Sequence, residues 1–277
     1  MHHVNCRIVG SPLTHKPRKR FGQNFLHDPA VISHIISSIA PRTGDRLVEI
    51  GPGQGAITKE LLKAAGRLDA VELDRDLIEP LARNCGALGE LIIHCADALQ
   101  FDFHQLAADD QPLRVIGNLP YNISTPILFH LLDQADCIQD MHFMLQKEVV
   151  KRMAAEPGSK AYGRLSVMLQ AKCMVIPLFD IGPGAFKPAP KVDSAFVRLQ
   201  PHQKPPVQID DYDIFTQVVT QAFAQRRKTL RNSLRELIDA DSMQALGIDP
   251  TLRAERLSLD QFALLANAVV KRDLPVR

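Results

Sequence analysis

Short apolar runs, each closed by glycine, proline or an acid, alternate with longer stretches of helical period through most of the chain. That rhythm predicts strands and helices in turn. Asp28 and Pro29 read as N-cap and first residue of a helix reaching Ile39, with Val31, Ile32, Ile35, Ile36 and Ile39 on one face. Arg46–Ile50 predicts the first strand, followed by the turn Gly51-Pro-Gly-Gln-Gly55 and a helix over 56–65. Leu68–Leu73, Leu91–Ala96, Leu113–Ile116 and Met141–Gln146 read as further strands, separated by helical stretches around Leu77–Arg83 and Thr125–Leu132. A charged helix over Lys147–Ala155, a turn-rich break at Glu156–Lys160 and a helix at Arg164–Gln170 come next. Two closely spaced strands, Met174–Ile181 and Asp193–Gln200, complete the series. The order predicts an α/β, Rossmann-like sheet with an antiparallel edge strand.

Pro201-His-Gln-Lys-Pro-Pro206 is the clearest boundary, and beyond it strand signals stop. The expected organisation is a basic arm over 1–20, an α/β domain over 21–200 and a small all-helical C-terminal domain over 207–277. In the last of these, Phe215, Val218, Val219, Ala222 and Phe223 supply an apolar face. A helix near Gln225–Leu237 would set Leu230, Leu234 and Leu237 on one side and Arg227, Arg231 and Arg235 on another, with Arg226 and Lys228 beside them. Such a stripe suits a phosphate backbone and equally suits a solvated helix face. The same two readings hold for Lys16, Arg18, Lys19 and Arg20 in the arm.

With 277 residues and a net charge of +2, overall charge points to no nucleic-acid partner, so the local clusters have to carry that question. The five cysteines are scattered and form no Cys-x-x-Cys pair. That favours reduced thiols in a cytoplasmic protein and argues against a metal site. No apolar run is long enough to span a bilayer, and the polar, basic N-terminus lacks the core of a secretion signal.

The candidate chemistry falls at strand ends. A glycine turn lets backbone approach a ligand, although Glu49-x-Gly51-x-Gly53-x-Gly55 departs from the dinucleotide fingerprint, whose last glycine falls one residue later. By itself it can be only a tight strand–helix connection. Glu72, about 20 positions on, suits the hydroxyls of a ribose, whereas Asp74 reads as a loop acid. Asp97 can accept a hydrogen bond from an adenine amino group, or simply cap a turn. After the fourth strand come Asn118, Leu119, Pro120 and Tyr121. The Asn118 side-chain oxygen and the Leu119 carbonyl can hold the hydrogens of an aromatic amine and turn its lone pair to an electrophile. Pro120 fixes the turn, and Tyr121 offers a face for stacking. A strand–helix loop with an Asn cap is the plainer reading of the tetrad alone. Together these positions suit S-adenosylmethionine as donor and an adenine amine as acceptor, with proximity and orientation supplying most of the catalysis.

Phe21-Gly-Gln-Asn-Phe-Leu26, Glu49-Ile-Gly-Pro-Gly-Gln-Gly55, Gly117-Asn-Leu-Pro-Tyr-Asn-Ile-Ser-Thr-Pro126, Phe186-Lys-Pro-Ala-Pro-Lys-Val-Asp-Ser194 and Ala224-Gln-Arg-Arg-Lys-Thr-Leu-Arg-Asn-Ser233 resemble the ribosomal RNA adenine N6-dimethyltransferase family over about residues 16–270. The resemblance is strongest to bacterial members acting on two adjacent adenines near the 3′ end of small-subunit (16S) rRNA. It implies a methyltransferase sheet and a cofactor site lined by Asn24, Leu26, Gly51, Gly53, Glu72, Asp97 and Asn118. It further implies a flipped adenine held between Tyr121 and Phe186, and RNA contacts from Arg18, Lys19, Arg20, Arg226, Arg227, Lys228 and Arg231. The implied partner is the small ribosomal subunit in a pre-30S particle, with no membrane and no metal, the enzyme acting as a monomer with a role in subunit biogenesis. Two rivals stand beside this reading: a non-catalytic subunit-assembly factor, and the related large-subunit rRNA methyltransferase of macrolide resistance. The Gln225-Arg-Arg-Lys-Thr-Leu-Arg-Asn232 pattern is foreign to the latter.

Overall fold

The structure is a computed structural model describing residues 6–9, 24–107, 111–121 and 123–273. They form two compact units: one runs through Val150 and includes Ile176–Pro201, and the other comprises Lys151–Val175 and the chain from His202 onward. The division between units falls at Pro201 and His202, beside the proline-rich stretch. Lys151–Val175, expected in the first domain, instead belongs to the second unit.

The first unit is built on one eight-stranded sheet. In chain order its elements are β1 (Cys6–Val9), β2 (Phe25–Leu26), α1 (Pro29–Ile39), β3 (Arg46–Ile50), α2 (Thr58–Ala65), β4 (Arg67–Glu72), α3 (Arg75–Cys85), β5 (Glu90–Cys95), β6 (Leu113–Asn118), α4 (Ser124–Leu132) and β7 (Ile138–Gln146). After α5 (Lys147–Met153) and α6 (Arg164–Lys172) come β8 (Cys173–Ile181), β9 (Phe186–Lys187) and β10 (Ser194–Pro201). The strand order is β1-β5-β4-β3-β6-β7-β10-β8. The strands from β1 to β7 pair in parallel, and β10 runs antiparallel to β7 with β8 outside it. Covered on both faces, the central strands carry near-continuous apolar runs: Leu47 and Val48 in β3, Val115 and Ile116 in β6 are all buried. The chain winds outward from β3 to β5, then returns to lay β6 on the other side of β3. That reversal opens a crevice at the carboxyl ends of β3 and β6.

Strand β1 falls within the stretch expected to be a loose arm. Its Cys-Arg-Ile-Val segment pairs with β5 from Cys6↔Leu91 to Val9↔His94 and so extends the sheet by one strand. Strands β2 and β9 form a separate two-stranded ribbon, Phe25↔Lys187 and Leu26↔Phe186, prolonged by the His27 N–H donating to the Ala185 carbonyl at 2.9 Å.

The second unit contains α6, then α7 (Tyr212–Phe223), α8 (Leu230–Ser233), α9 (Ala240–Ala245) and α10 (Leu259–Asp273). Phe215, Val218, Val219 and Ala222 are buried in α7, as their spacing predicts. Helix α6 buries Leu165, Val167, Met168 and Leu169, too wide an arc for one neighbour, and it contacts both α7 and α10. The long helix expected over Gln225–Leu237 is not formed. The Leu230 and Arg231 N–H groups donate instead to the carbonyls of Leu252 and Pro250 at 2.8 and 3.0 Å, and only four residues remain helical. Arg227, Arg231 and Arg235 therefore do not share one helical stripe.

A buried histidine makes the first unit sensitive to acid. His142 in β7 is 1 % exposed, and neither ring nitrogen has a hydrogen-bond partner among the described residues. Burial, helped by the Arg114 and Arg198 cations and opposed by Asp140, pushes its pKa down from 6.5 to about 4. Between those values the unfolded chain binds a proton that the fold rejects. The contribution is complete above pH 6.5 and is lost as pH falls toward 4, to the extent of about 3 kcal/mol. His142→Phe is expected to flatten that part of the stability curve. Urea denaturation of variant and parent from pH 4 to 7 checks it; parallel curves would refute the assignment.

Candidate active site

A cavity of about 410 Å³ opens at the carboxyl ends of β3, β4, β5 and β6, within the range of roughly 300–1,000 Å³ usual for small-molecule sites. Its wall includes Asn24, Leu26, Gly51, Gly53, Glu72, Asp97, Asn118, Leu119, Pro120 and Tyr121. Thus every site residue expected from the glycine turn, the two acids and the tetrad is brought to one cavity, although the motifs lie far apart in sequence.

The floor comes from the turn after β3. Gly53 adopts φ +57°, and a Cβ there would stand 3.0 Å from the Phe25 ring. Only glycine allows the turn and that ring to approach so closely. Two residues on, Gly55 (φ +82°) faces Cys85 and Leu81 of α3, where a Cβ would come within 2.7 Å of the Cys85 sulfur.

Glu72 ends β4 and is 5 % exposed. Its Oε1 accepts the Asp74 N–H at 2.8 Å and its Oε2 accepts the Gly53 N–H at 3.3 Å. Burial raises its pKa, and these bonds pull the other way. The carboxylate is oriented by backbone donors and retains lone pairs for a diol. Asp74 also lines the cavity and caps α3 through the Asp76 N–H. Asp97 accepts the Leu99 N–H at 3.0 Å, which fixes the loop after β5 while one oxygen remains to accept from a ligand. Its turn-capping and ligand-facing roles are compatible.

Glu49, inside the glycine motif but absent from the expected site residues, also lines the cavity. It is 2 % exposed and accepts the Thr58 hydroxyl at 2.6 Å. Burial, reinforced by Glu72 and opposed by Thr58, pushes its carboxyl up to about 7. Its pH effect is opposite to that of His142: stability present below pH 4.5 is lost as pH rises through 7.

Asn118 is the last residue of β6, and its Nδ2 donates to the Asn24 carbonyl at 2.9 Å. This bond ties the N-terminal segment to the tetrad and leaves Oδ1 as the accepting atom of the amide. The Leu119 N–H donates to the Met144 carbonyl at 3.3 Å, which anchors the tetrad on β7. The Ser124 hydroxyl donates to the Tyr121 carbonyl at 3.1 Å, and the Tyr121 hydroxyl lies 2.8 Å from that of Ser194.

Phe186 is placed differently from expectation. It is 3 % exposed, pairs with Leu26 and belongs to the same buried cluster as Ile181, Ala185 and Phe196, and it is not on the cavity wall. Its ring is core. Phe25, one residue from the expected Asn24 and Leu26, lines the cavity, as does Leu73, which is 47 % exposed. Pairing with Leu26 across the β2–β9 ribbon accounts for the burial of Phe186, while Phe25 stands on the cavity wall against Gly53.

Arg18, Lys19 and Arg20 lie outside the described residues. Arg226, Arg227, Lys228 and Arg231 are all exposed in the second unit, where the Arg226 guanidinium donates to the Lys160 carbonyl at 3.0 Å. That unit carries 16 Lys and Arg against 11 Asp and Glu, a net +5, whereas the first carries 17 against 20, a net −3. The near-neutral chain therefore conceals a basic unit. Among the described residues, candidate ligand atoms of His104, Asp136 and Cys137 lie within 4.8 Å of one another. An ion-paired His104, bridging Asp102 and Asp136 at 3.1 and 3.0 Å, accounts for that grouping. No described helix is long and apolar enough to cross a membrane.

Residues 14–271 match the family model described as ribosomal RNA adenine dimethylase. Among curated relatives, "Ribosomal RNA small subunit methyltransferase A" of Marinomonas sp. (strain MWYL1) is 55% identical over 259 residues, covering 94% of this chain and 97% of the relative. The protein of the same name from Hahella chejuensis is 57% identical over 260 residues, covering 94% and 95%. A solved dimethyladenosine transferase from Plasmodium falciparum is 24% identical with TM-score 0.76, covering 89% of this chain and 98% of that one. The 23S rRNA methyltransferase ErmE, also 24% identical, has TM-score 0.71 over 89% and 100%. These two establish the likeness of fold.

Proposed function

This chain belongs to the ribosomal RNA adenine dimethylase family, and we propose that the cavity at the end of its sheet is where cofactor and target adenine meet. The enzyme is an S-adenosylmethionine-dependent methyltransferase that dimethylates adenines of small-subunit ribosomal RNA. The finer reading is that the targets are two adjacent adenines near the 3′ end of 16S rRNA in a pre-30S particle. It includes a monomeric, metal-free enzyme working in the cytoplasm, where such particles are assembled. The single observation carrying the site is the convergence of Glu72, Asp97 and Asn118–Tyr121 on one cavity beside the glycine turn.

The wall fits the cofactor. Glu72 is a buried acceptor already aimed by two backbone N–H groups, as a ribose diol requires. Asp97 offers an acceptor to an adenine amino group, with Phe25 and Leu73 as apolar neighbours. When bound, S-adenosylmethionine supplies an electrophilic methyl group. The chain's part is to bring an amine to it in line. Asn118 Oδ1 and the Leu119 carbonyl accept the two amine hydrogens, drawing the nitrogen lone pair out of conjugation with the purine. Tyr121 supports the base by stacking, a contact worth roughly 1–3 kcal/mol. No carboxylate belongs to the tetrad, and none is required, because the methylated nitrogen is acidic enough to release its proton to water. Two methyl groups require the same amine to be presented twice, and two acceptors serve the first transfer while one serves the second.

We assign RNA-backbone contacts to Arg226, Arg227, Lys228 and Arg231, supported by their exposure and by the net charge of their unit. Neutralising Arg226, Arg227 and Lys228 together is expected to weaken RNA binding and to reduce the slope of log K against log salt by about 2 to 3. A slope equal to the parent's would place them in plain solvent. The function itself is tested by supplying labelled S-adenosylmethionine with undermethylated small subunits and mapping the modified nucleotides. Label on two adjacent 3′-terminal-region adenines supports the reading; label elsewhere, or none, overturns it.

A further inference from the structure

Tyr121 is held at both ends by buried serines. The Ser124 hydroxyl, 2 % exposed, donates to its carbonyl at 3.1 Å, and the Ser194 hydroxyl, 1 % exposed, lies 2.8 Å from its phenol oxygen. Ser194 is the first residue of β10 and pairs with Gln146 of β7, and the preceding Asp193 carbonyl accepts the Lys147 N–H at 3.0 Å. The phenol is therefore anchored to a strand of the main sheet, 73 residues away in the chain. A ring used as a stacking platform needs a fixed tilt. In a tyrosine the hydroxyl is the only polar handle far enough from the backbone to set it. The bond is part-buried, and its serine end is fixed in the sheet, so it holds the phenol in one direction.

We infer that Ser194 is a positioning residue that fixes the Tyr121 ring as the platform for the acceptor base. This rests on the assignment of the cavity given above. It implies that Ser194 acts after the cofactor has bound, on the geometry of the amine, and that it acts only through the phenol of Tyr121.

The test is a double-mutant cycle in the full-length enzyme, with methyl transfer to undermethylated subunits and cofactor binding measured side by side. Ser194→Ala is expected to lower kcat roughly tenfold, as a misplaced acceptor would, with the dissociation constant of S-adenosylmethionine unchanged. Tyr121→Phe keeps the ring and removes the phenol from the other side. It should give the same loss, and the double variant should be no worse than either single one. As a spectroscopic readout, an RNA carrying 2-aminopurine at the target position should be quenched less by either variant than by the parent. Multiplying losses in the double variant, full activity in Ser194→Ala, or an equal loss of cofactor affinity would each overturn the assignment. If Ser194→Ala folds poorly, Tyr121→Phe carries the test alone, and full activity there is equally fatal. Tyr121→Ala separates the two levels: full activity in that variant would overturn the cavity reading itself, whereas a loss there with none in Ser194→Ala would leave the cavity standing and remove Ser194 from it.

Discussion

Asn118→Ala is expected to slow single-turnover methyl transfer by about 10²- to 10³-fold, the usual consequence of deleting one preorganised polar group at a reacting centre. Affinity for S-adenosylmethionine should fall by no more than about tenfold. The two numbers have different origins. The side chain uses Nδ2 to hold the Asn24 carbonyl, 94 residues earlier, at 2.9 Å. Losing that bond loosens the segment that carries Asn24 and Leu26 over the cavity, at the modest cost of one hydrogen bond. The accepting Oδ1 is a separate asset. An adenine amine lends its lone pair to the ring, and a wall that accepts its hydrogens helps to withdraw it from that conjugation. With Oδ1 gone, the Leu119 carbonyl is left to orient the nitrogen alone. Rapid-quench transfer and calorimetric binding of the cofactor distinguish the two effects. Equal losses in both would mean that Asn118 merely holds the N-terminal segment, and an unaltered rate would remove it from the chemistry.

Legibility in the sequence divided along a physical line. Strand ends were readable because each is marked by local chemistry: a glycine turn after Ile50, an acid closing β4, an amide and proline after β6. A parallel sheet gathers such ends on one edge whatever their spacing along the chain, so their meeting at one cavity needed no tertiary contact to be known. The burial of Phe186 was not legible for the opposite reason. Which aromatic enters the core depends on the Leu26↔Phe186 register of a two-residue ribbon, and two residues carry no periodicity to read. The helix expected over Gln225–Leu237 failed similarly, because its amides are claimed by Pro250 and Leu252 in a segment whose proximity no local pattern announces. The basic unit was hidden by averaging: a net +2 over 277 residues is a basic part and an acidic part nearly cancelling. The same blindness covered Arg114 and Asp140. One stands inside an apolar run and the other just before a predicted strand, and nothing in the intervening residues shows that they pair.

Asp140→Ala is accordingly expected to cost about 3–5 kcal/mol of unfolding free energy, the penalty for stripping one partner from a buried ion pair. Asp140 is 1 % exposed and accepts Arg114 Nε at 2.9 Å, Arg114 Nη2 at 3.2 Å and Arg198 Nη2 at 3.1 Å. Arg114 also donates to Asp45 at 2.8 Å and to the Ile39 carbonyl at 2.7 Å. One guanidinium thus joins the end of α1, the entry to β3, and strands β6 and β7, while Asp140 adds β10. These contacts lie toward the amino ends of the parallel strands, remote from the cavity, so the loss should appear in denaturation and leave the cofactor dissociation constant of the folded fraction unaltered. Removing both charges by Arg114→Met with Asp140→Leu should recover much of the deficit, because the penalty comes from an unmatched charge in a dry site and less from the worth of the pair. Asp45 and Arg198 are both only part-buried and can turn to water when their partners are gone. Urea midpoints for the single and double variants decide the matter. A double variant less stable than Asp140→Ala would mean that the pair itself, through the elements it joins, holds the sheet together.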